Sequence, residues 1–268
     1  MKSTDRGKTW TNITGNLPGK HDTWSIIQDH VNGNLLFVGT EFGLFVSIDG
    51  GQKWTMLRGG MPLVQVRDMT VQRRENDLVL GTFGRGFYVL DDYSALRDIS
   101  SAALAEDTRI FPLRDAYLYN LLDQTPAGSA GLGLLSGLWS APNPPFGAVF
   151  TYHVRQALPT DQKLVLTITD ENRRLIRRLD LDGSPGLRRT AWNLRAEVPA
   201  ATDQGQGAAG LGGRGGGGGA GAAGGGRGFQ QGPLVEPGRY RATLGRMSGD
   251  IVTPIGQPQT FGVVQVGQ

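Results

Sequence analysis

The sequence has no cysteine, and this absence excludes disulfide bonds, thiolate metal ligands and a cysteine nucleophile. Its three histidines, His21, His30 and His153, do not have the spacing of metal ligands. No apolar run approaches the roughly 18 residues of a membrane-spanning helix. We therefore expect no metal site, no cofactor and no membrane span. The polar start of the chain predicts no signal peptide in this sequence.

Charge is also scarce: charged residues make up 19% of the sequence, and the net charge is +3. The basic residues are spread along the chain without a run or stripe, so we expect no nucleic-acid partner. Glycine, in contrast, accounts for 42 of the 268 residues, and many lie in the tract 205–228. Arg214 and Arg227 interrupt that tract without interleaved aromatic rings. We interpret it as a spacer and not as an RNA-binding segment.

Two octamers share the pattern S-x-D-x-G-x-x-W: residues 3–10 read STDRGKTW and residues 47–54 read SIDGGQKW. An aspartate followed by glycine suits a tight turn, in which glycine takes positive φ and the carboxylate accepts backbone N–H groups. The tryptophan can bury a large ring beneath that turn. A carboxylate held by amides has a low pKa and is a poor general acid. We therefore assign a structural role to Ser3, Asp5, Gly7, Trp10, Ser47, Asp49, Gly51 and Trp54.

The octamers belong to an internal repeat. They start 44 residues apart, and residues 39–49 align with residues 81–91 at an offset of 42 without a gap. A period of about 40 to 45 residues built from short β-prone runs is typical of a four-stranded propeller blade. In the second blade the octamer has decayed and keeps only its first aspartate, Asp91. The first blade has predicted strands at 24–28, 35–38, 44–48 and 54–57, and the second blade spans 66–90.

A different pattern begins after residue 142, where six short β-prone runs are separated by Asp, Gly and Pro turns. This pattern predicts a small antiparallel sandwich. The runs are 148–154, 163–169, 175–181, 187–194, 239–244 and 259–266. The expected fold is all-β: a partial β-propeller of about two four-stranded blades plus one outer strand, followed by that sandwich. We divide the chain into a partial propeller at 1–97, a connector at 98–142, and a sandwich at 143–268 with a flexible Gly-rich loop at 203–232.

The octamers resemble Asp-boxes, the BNR repeat of sialidases, sortilin-type receptors and many bacterial propellers. The longer stretches NLLFVGTEFGLFVSIDGGQKWTML (34–57), NDLVLGTFGRGFYVLDD (76–92) and NPPFGAVFTY (143–152) are more specific. They resemble the end of bacterial WD40/YVTN/BNR-like repeat proteins, which are often called sortilin-like or glycosyl-hydrolase BNR-repeat proteins. The resemblance covers residues 1–97 and 143–266.

This resemblance implies a propeller followed by an immunoglobulin-like module. The stretches LRRTAWNLR (187–195) and PGRYRATL (237–244) resemble the late strands of that module. It also implies that the Asp-box lies on the blade periphery, away from the central binding face. The location implied for the full-length protein is extracellular or periplasmic.

Residues 1–97 hold one outer strand and about two blades, whereas closed propellers have four or more. A strand edge and an apolar blade face would then be exposed. We therefore expect upstream propeller blades as partners, with the chain as the C-terminal piece of a longer protein.

Blade topology places the turn between the second and third strands, and the link into the first strand, at the blade end opposite the octamers. The polar residues best placed there to contact a ligand are Glu41, Arg85, His21 and Asp22. A sialidase would need an arginine cluster, a tyrosine–glutamate nucleophile and an acidic aspartate, and this set is not assembled here. A glycosidase needs two carboxyls roughly 5 to 10 Å apart, for which only Glu41 and Asp22 are candidates. We assign no catalytic residue.

The sequence therefore favours a non-catalytic C-terminal fragment of a secreted BNR-repeat propeller protein that binds a protein or a glycan, or has a structural role. The alternative is part of a glycoside hydrolase, sialidase- or xyloglucanase-like, whose catalytic residues lie mostly upstream. In that case Glu41 or Arg85 would contribute to its cleft. A pure scaffold between larger domains is a third interpretation.

Overall fold

The computed structural model describes residues 1–119, 144–197 and 232–266. The predicted glycine-rich loop, apart from Gly232, and the second half of the connector lie outside these residues. Short strands dominate the described chain, and none of its helices has the length and apolar character needed to cross a membrane. In the first half the strands are β1 (Thr23–Gln28), β2 (Leu36–Thr40), β3 (Gly43–Ser47), β4 (Thr55–Leu57), β5 (Val66–Gln72), β6 (Asp77–Thr82) and β7 (Phe87–Leu90). A 3₁₀-helix (Ser94–Asp98) and α1 (Ser101–Ala105) follow, and then β8 (Thr108–Ile110), β9 (Ala116–Leu118), β10 (Ala148–Val154), β11 (Lys163–Asp170), β12 (Leu175–Leu181), β13 (Gly186–Trp192), β14 (Gly238–Ser248) and β15 (Ile251–Gln265).

The first blade, β1 to β4, is an antiparallel sheet whose strands are adjacent in chain order. Every residue of β2 and β3 is buried, because both faces of this blade are covered. One face packs against the second blade. On the other face Trp54 packs with Val38 and Phe45, and the N-terminal segment adds Ile13 and Leu17. Burial on both faces explains why these strands are continuously apolar instead of alternating.

The second blade, β5 to β7, forms a sheet of three strands in the described residues. After β7 the chain enters the 3₁₀-helix instead of an outer strand. One face of β7 stays open, with Phe87 and Val89 exposed. The prediction of an all-β partial propeller followed by a sandwich is confirmed, with the last blade reduced to its three inner strands within the described residues.

The ungapped alignment of the two repeats is wrong beyond the turn between the second and third strands. Gly39 pairs with Leu44 in the first blade, whereas Gly81 pairs with Phe87 in the second. The second turn therefore contains one residue more. After the inserted residue the offset between the two repeats is 43 instead of 42. Asp92, and not Asp91 as the sequence predicts, is therefore the counterpart of Asp49.

The two blades approach closely where β2 crosses β5. Gly39 has no side chain, and a Cβ there would lie 2.6 Å from the carbonyl oxygen of Val66 and 2.7 Å from the Ser25 hydroxyl. Only glycine permits this backbone approach. The contact encloses an apolar core shared by both blades, with Phe37, Leu35, Leu44, Val66, Leu78 and Leu80 buried in it.

A buried carboxylate joins the two blades to the segment that follows them. Asp29 Oδ1 accepts hydrogen bonds from Tyr93 Oη at 2.7 Å and from Arg97 Nη2 at 2.8 Å. Its Oδ2 accepts from Arg97 Nε at 2.9 Å and from two backbone N–H groups of the β1–β2 turn. Arg97 Nη2 also donates to Asn76 Oδ1 in the β5–β6 turn at 2.7 Å. Burial opposes the charge of Asp29, yet these donors outweigh it and hold the pKa of the carboxyl well below its usual range.

The C-terminal part is a sandwich of two sheets. One has the order β13-β10-β8 and the other β12-β11-β14-β15-β9, in which only β9 and β15 pair in parallel. Trp192, Tyr240 and Phe261 meet between the sheets with ring centroids 5.7 to 6.2 Å apart. Tyr240 Oη donates to the Glu236 carbonyl at 2.7 Å, as in the tyrosine corner of immunoglobulin-like sandwiches. Strands β8 and β9 come from residues that the sequence analysis treats as a connector.

The sandwich contacts the end of the second blade through Arg189 on β13. Its guanidinium donates to the carbonyl oxygens of Asp91 and Asp92, the first at 2.8 Å. Burial lowers the pKa of Arg189. Arg114, just before β9, pairs with Glu75 and lies 3.8 Å from Asp92 Oδ2. Arg189 thus binds main-chain carbonyls, and Arg114 contacts carboxylates, at the point where the first blade instead forms an octamer turn.

We expect Asp29→Asn to destabilise the protein by about 3 kcal/mol, because the change leaves Arg97 without its buried counter-charge. The Arg97 side chain is partly exposed, so the expected loss of folding stability lies at the low end of the range for breaking a buried ion pair. Denaturant titration of the full chain measures it. Asp98→Asn, an exposed residue of the adjoining 3₁₀-helix, is the matched control and should change stability by less than about 0.5 kcal/mol. Equal midpoints for Asp29→Asn and Asp98→Asn would contradict this role of Asp29.

The same carboxylate predicts a pH dependence. Because the folded pKa of Asp29 lies below the ordinary value of 3.8, its stabilisation is fully present above that value. It is lost as the pH falls from there through the folded pKa. The stability difference between the wild type and Asp29→Asn should therefore narrow between about pH 7 and about pH 3. Denaturant midpoints of both proteins at the two pH values test this, and a constant or widening difference would contradict it.

Candidate functional site

The second octamer is a self-contained turn. Asp49 Oδ1 accepts the backbone N–H groups of Gln52 at 3.0 Å and Lys53 at 2.9 Å. Ser47 Oγ donates to the same carboxylate at 2.7 Å and accepts from Gly51 N at 2.8 Å. Trp54 is 3% exposed, and its Nε1 donates to the Ile13 carbonyl at 2.9 Å. The turn therefore fixes both the loop and the N-terminal segment that crosses this face of the blade.

The first octamer repeats this geometry on an exposed part of the chain. Asp5 Oδ1 accepts from Thr9 N at 2.8 Å, and Ser3 Oγ donates to it at 2.8 Å. Lys2 and Thr11 form a backbone bridge that closes the hairpin. Gly7 N donates to Ser3 Oγ, whereas Trp10 is 59% exposed, because no partner strand in the described chain covers it.

These bonds define the chemistry of the octamer carboxylates. The backbone N–H of Thr9, with the hydroxyls of Thr9 and Ser3, lowers the pKa of Asp5 to about 2. For Asp49 burial acts in the opposite direction, but the Lys53 N–H and the Ser47 hydroxyl outweigh it and the pKa is also lowered. Both carboxylates are ionised and accept hydrogen bonds from donors of their own turn, Asp5 through both oxygens and Asp49 through Oδ1. They have no proton to deliver at neutral pH.

The opposite end of the blades brings together the turns and links that the sequence selects. Glu41 N donates to the Asp22 carbonyl at 3.0 Å, and the rings of His21 and Phe42 are 4.8 Å apart. The Nδ1 atom of His21 is buried and has no hydrogen-bond partner among the described residues. His21, Asp22 and Glu41 therefore lie together on the first blade. Arg85 lies on the second blade in the β6–β7 turn, without a hydrogen bond or ion pair to a described residue.

An equivalent register shift in β1 and β5 reorients one side chain in each innermost strand. The pairing of β1 skips Trp24, between Thr23 and Ser25, and the pairing of β5 skips Arg67, 43 residues later. Bulges of this kind commonly redirect side chains beside binding sites. Here the two redirected side chains meet, and the Arg67 guanidinium carbon lies 3.7 Å from the centroid of the Trp24 ring.

The Phe83 ring is also close to Arg67, with its centroid 5.1 Å from the guanidinium carbon. Arg67 Nε donates to Gln65 Oε1 at 2.9 Å, and Phe83 N donates to the Gln65 carbonyl at 3.0 Å. We call Trp24, Arg67 and Phe83 the arginine stack. Trp24 is 43% exposed and Phe83 65% exposed, so rings and guanidinium face solvent in a fixed arrangement.

The arginine stack and the neighbouring turns define the candidate face: His21, Asp22, Trp24, Glu41, Phe42, Arg67, Phe83 and Arg85. The sequence analysis missed Trp24 and Arg67 because both lie within predicted strands. Extending the repeat alignment at its offset of 42 would have placed Trp24 on Val66, one residue before Arg67, so the match between Trp24 and Arg67 is visible only in the strand pairing. In the described chain no group of three His, Cys, Asp or Glu side chains is arranged to hold a metal ion. The face combines aromatic surface, two guanidinium groups and two carboxylates, which suits ligand binding.

No known protein family matches the chain, and no curated protein matches it. Two solved structures of the extracellular domain of BT4673 from B. thetaiotaomicron are similar at 11% sequence identity. One is described as a one-component system and the other as a hybrid two-component system, with TM-scores of 0.22 and 0.23. The alignments cover 92% and 93% of this chain but only 25% and 26% of those chains. TM-scores this low do not establish a shared fold, and this chain spans about a quarter of those structures.

We expect Asp49→Ala to destabilise the protein by about 1 kcal/mol, because the backbone N–H groups of the turn lose their acceptor. Denaturant titration measures this change. Asp5→Ala is the matched variant on the exposed octamer, and its midpoint should shift less. An Asp49→Ala protein with unchanged stability would contradict the structural role of the octamer.

Proposed function

We propose that this chain is a non-catalytic binding module, the C-terminal piece of a secreted BNR-repeat propeller protein. In this proposal the candidate face binds a glycan or a protein, and the sandwich caps the last blade. The observation that carries the proposal is the separation of the two blade ends. The serine and aspartate side chains of the octamers bind their own turns, whereas the opposite end exposes aromatic rings and charged side chains.

Contacts at the candidate face support a preformed site. Phe42 is 44% exposed and is held by the His21 ring, and Trp24 is held by Arg67. Rigid, exposed aromatic rings bind ligands at a small cost in conformational entropy. Glu41 precedes Phe42 in the β2–β3 turn and its backbone N–H donates to the Asp22 carbonyl, so both acidic residues belong to this face and can supply hydrogen-bond acceptors. The face therefore offers apolar surface and directional polar groups together.

The proposal includes the division of the chain at about residues 97 and 142. Upstream blades would cover the open face of β7, where Phe87 and Val89 are exposed. An extracellular or periplasmic location follows from the family resemblance. The alternative is a glycoside hydrolase with catalytic residues mostly upstream, in which Glu41 or Arg85 of this face would contribute to the cleft.

A glycan array probed with the full chain tests this function. We expect Phe42→Ala and Glu41→Ala to lower the signal on bound glycans by about fivefold or more, because each removes direct contact surface. Arg74→Ala, an exposed arginine of the β5–β6 turn, is the control and should bind as the wild type does.

Two results of that experiment would count against the proposed function. Binding that is unchanged in both face variants would remove this face from the site. Cleavage of the bound glycan, detected as new reducing ends and abolished by Glu41→Gln, would favour the hydrolase instead.

A further inference from the structure

We propose that the ligand of the candidate face is a sugar carrying a carboxylate, a uronic-acid unit of an acidic glycan, and that Arg67 binds this carboxylate. The inference rests on the proposed function and adds a chemical class of ligand and a specificity-determining residue. The arginine stack, whose Trp24 and Arg67 lie outside the sequence motifs, is the feature that carries it.

The guanidinium of Arg67 is preorganised for a planar anion. It lies 3.7 Å from the Trp24 ring centroid and 5.1 Å from the Phe83 ring centroid, and Gln65 Oε1 accepts its Nε–H at 2.9 Å. Its Nη1 and Nη2 groups make no hydrogen bond and no ion pair with a described residue. A guanidinium edge of this kind binds a carboxylate with two parallel hydrogen bonds. Because the side chain is already held in place, binding immobilises little additional conformational freedom.

The surroundings of Arg67 favour a ring-shaped ligand with one carboxylate. Trp24 and Phe83 present exposed ring surface beside the guanidinium, against which the apolar face of a pyranose ring can pack. Asp22 lies two residues before Trp24, and the backbone N–H of Glu41 donates a hydrogen bond to the Asp22 carbonyl. The carboxylates of these two residues can accept hydrogen bonds from sugar hydroxyl groups.

Charge complementarity separates this ligand from the other classes. The charges of the candidate face balance, with the carboxylates of Asp22 and Glu41 against the guanidiniums of Arg67 and Arg85. An acidic peptide or a nucleic acid, which brings several negative charges, therefore gains no net attraction. A neutral sugar would leave the guanidinium of Arg67 without a partner. A uronic acid pairs its single carboxylate with Arg67 and its hydroxyls with the two acids.

Isothermal titration of the full chain with tri-galacturonate tests the inference, and fully methyl-esterified tri-galacturonate is the matched neutral probe. We expect saturable binding of the acid and at least about tenfold weaker binding of the ester, as for the loss of charge-assisted hydrogen bonds. Arg67→Ala should lose about tenfold or more in affinity for the acid. Arg67→Lys should also bind more weakly, because an ammonium cannot form the two parallel bonds.

Arg74→Ala removes an exposed arginine from the same blade and is the control for net charge. Arg67 is exposed, so its variants should keep the wild-type melting curve. Equal affinity for acid and ester, or an Arg67→Ala variant that binds as the wild type does, would overturn the inference. So would hexaglutamate that competes as strongly as tri-galacturonate, or a sulfated disaccharide that binds while the uronate does not.

These outcomes distinguish the two levels of the proposal. If neutral glycans bind in a manner that depends on Phe42 and Glu41 but not on Arg67, the proposed function stands and the uronate inference fails. If no glycan and no protein binds in a manner that depends on any residue of the candidate face, both fail.

Discussion

The carboxylate of Asp29 connects three segments that are distant in sequence. Through Arg97 and Tyr93 it binds the segment that follows the second blade, and Arg97 in turn binds the β5–β6 turn at Asn76. A buried charge is tolerated only when such donors surround it. The consequence is that the two blades have one relative position, with β1 packed beside β5. The arrangement of the candidate face depends on that contact.

Because the contact between the blades is fixed, the two ends of each blade can have different roles. The octamer end is closed, because serine and aspartate side chains bind their own backbone and the buried Trp54 anchors the N-terminal segment at Ile13. The other end has matching bulges in the innermost strands, which turn Trp24 and Arg67 towards each other. The resulting stack is exposed and ordered by its own contacts. The same repeat thus supplies hydrogen-bonded turns at one end and an exposed surface of aromatic and charged side chains at the other.

Local patterns were enough to predict much of the fold. The predicted sandwich runs 148–154 and 175–181 coincide with β10 and β12, because alternating side chains and turn residues are properties of short segments. The equivalence of Asp92 with Asp49 could not be predicted in this way, because a one-residue insertion in the glycine-rich β6–β7 turn does not change the pattern of β-forming residues on either side of it. The pairing of Asp29 with Arg97, 68 residues apart, and the contact of Arg189 with Asp91 and Asp92 depend on tertiary packing. For the candidate site, the turns were predictable from blade topology, whereas the bulges of β1 and β5 are register defects that only the paired strands reveal.

The central claim is that the octamers hold the fold while the opposite blade end binds ligand. The indole N–H signals of the tryptophans in a ¹H–¹⁵N spectrum test this directly, because the octamer indoles of Trp10 and Trp54 donate to main-chain carbonyls and Trp24 belongs to the arginine stack. On titration with tri-galacturonate, the account predicts that the Trp24 signal moves and that the signals of Trp10 and Trp54 stay in place. A shift of the Trp10 or Trp54 signal, with the Trp24 signal unchanged, would contradict it.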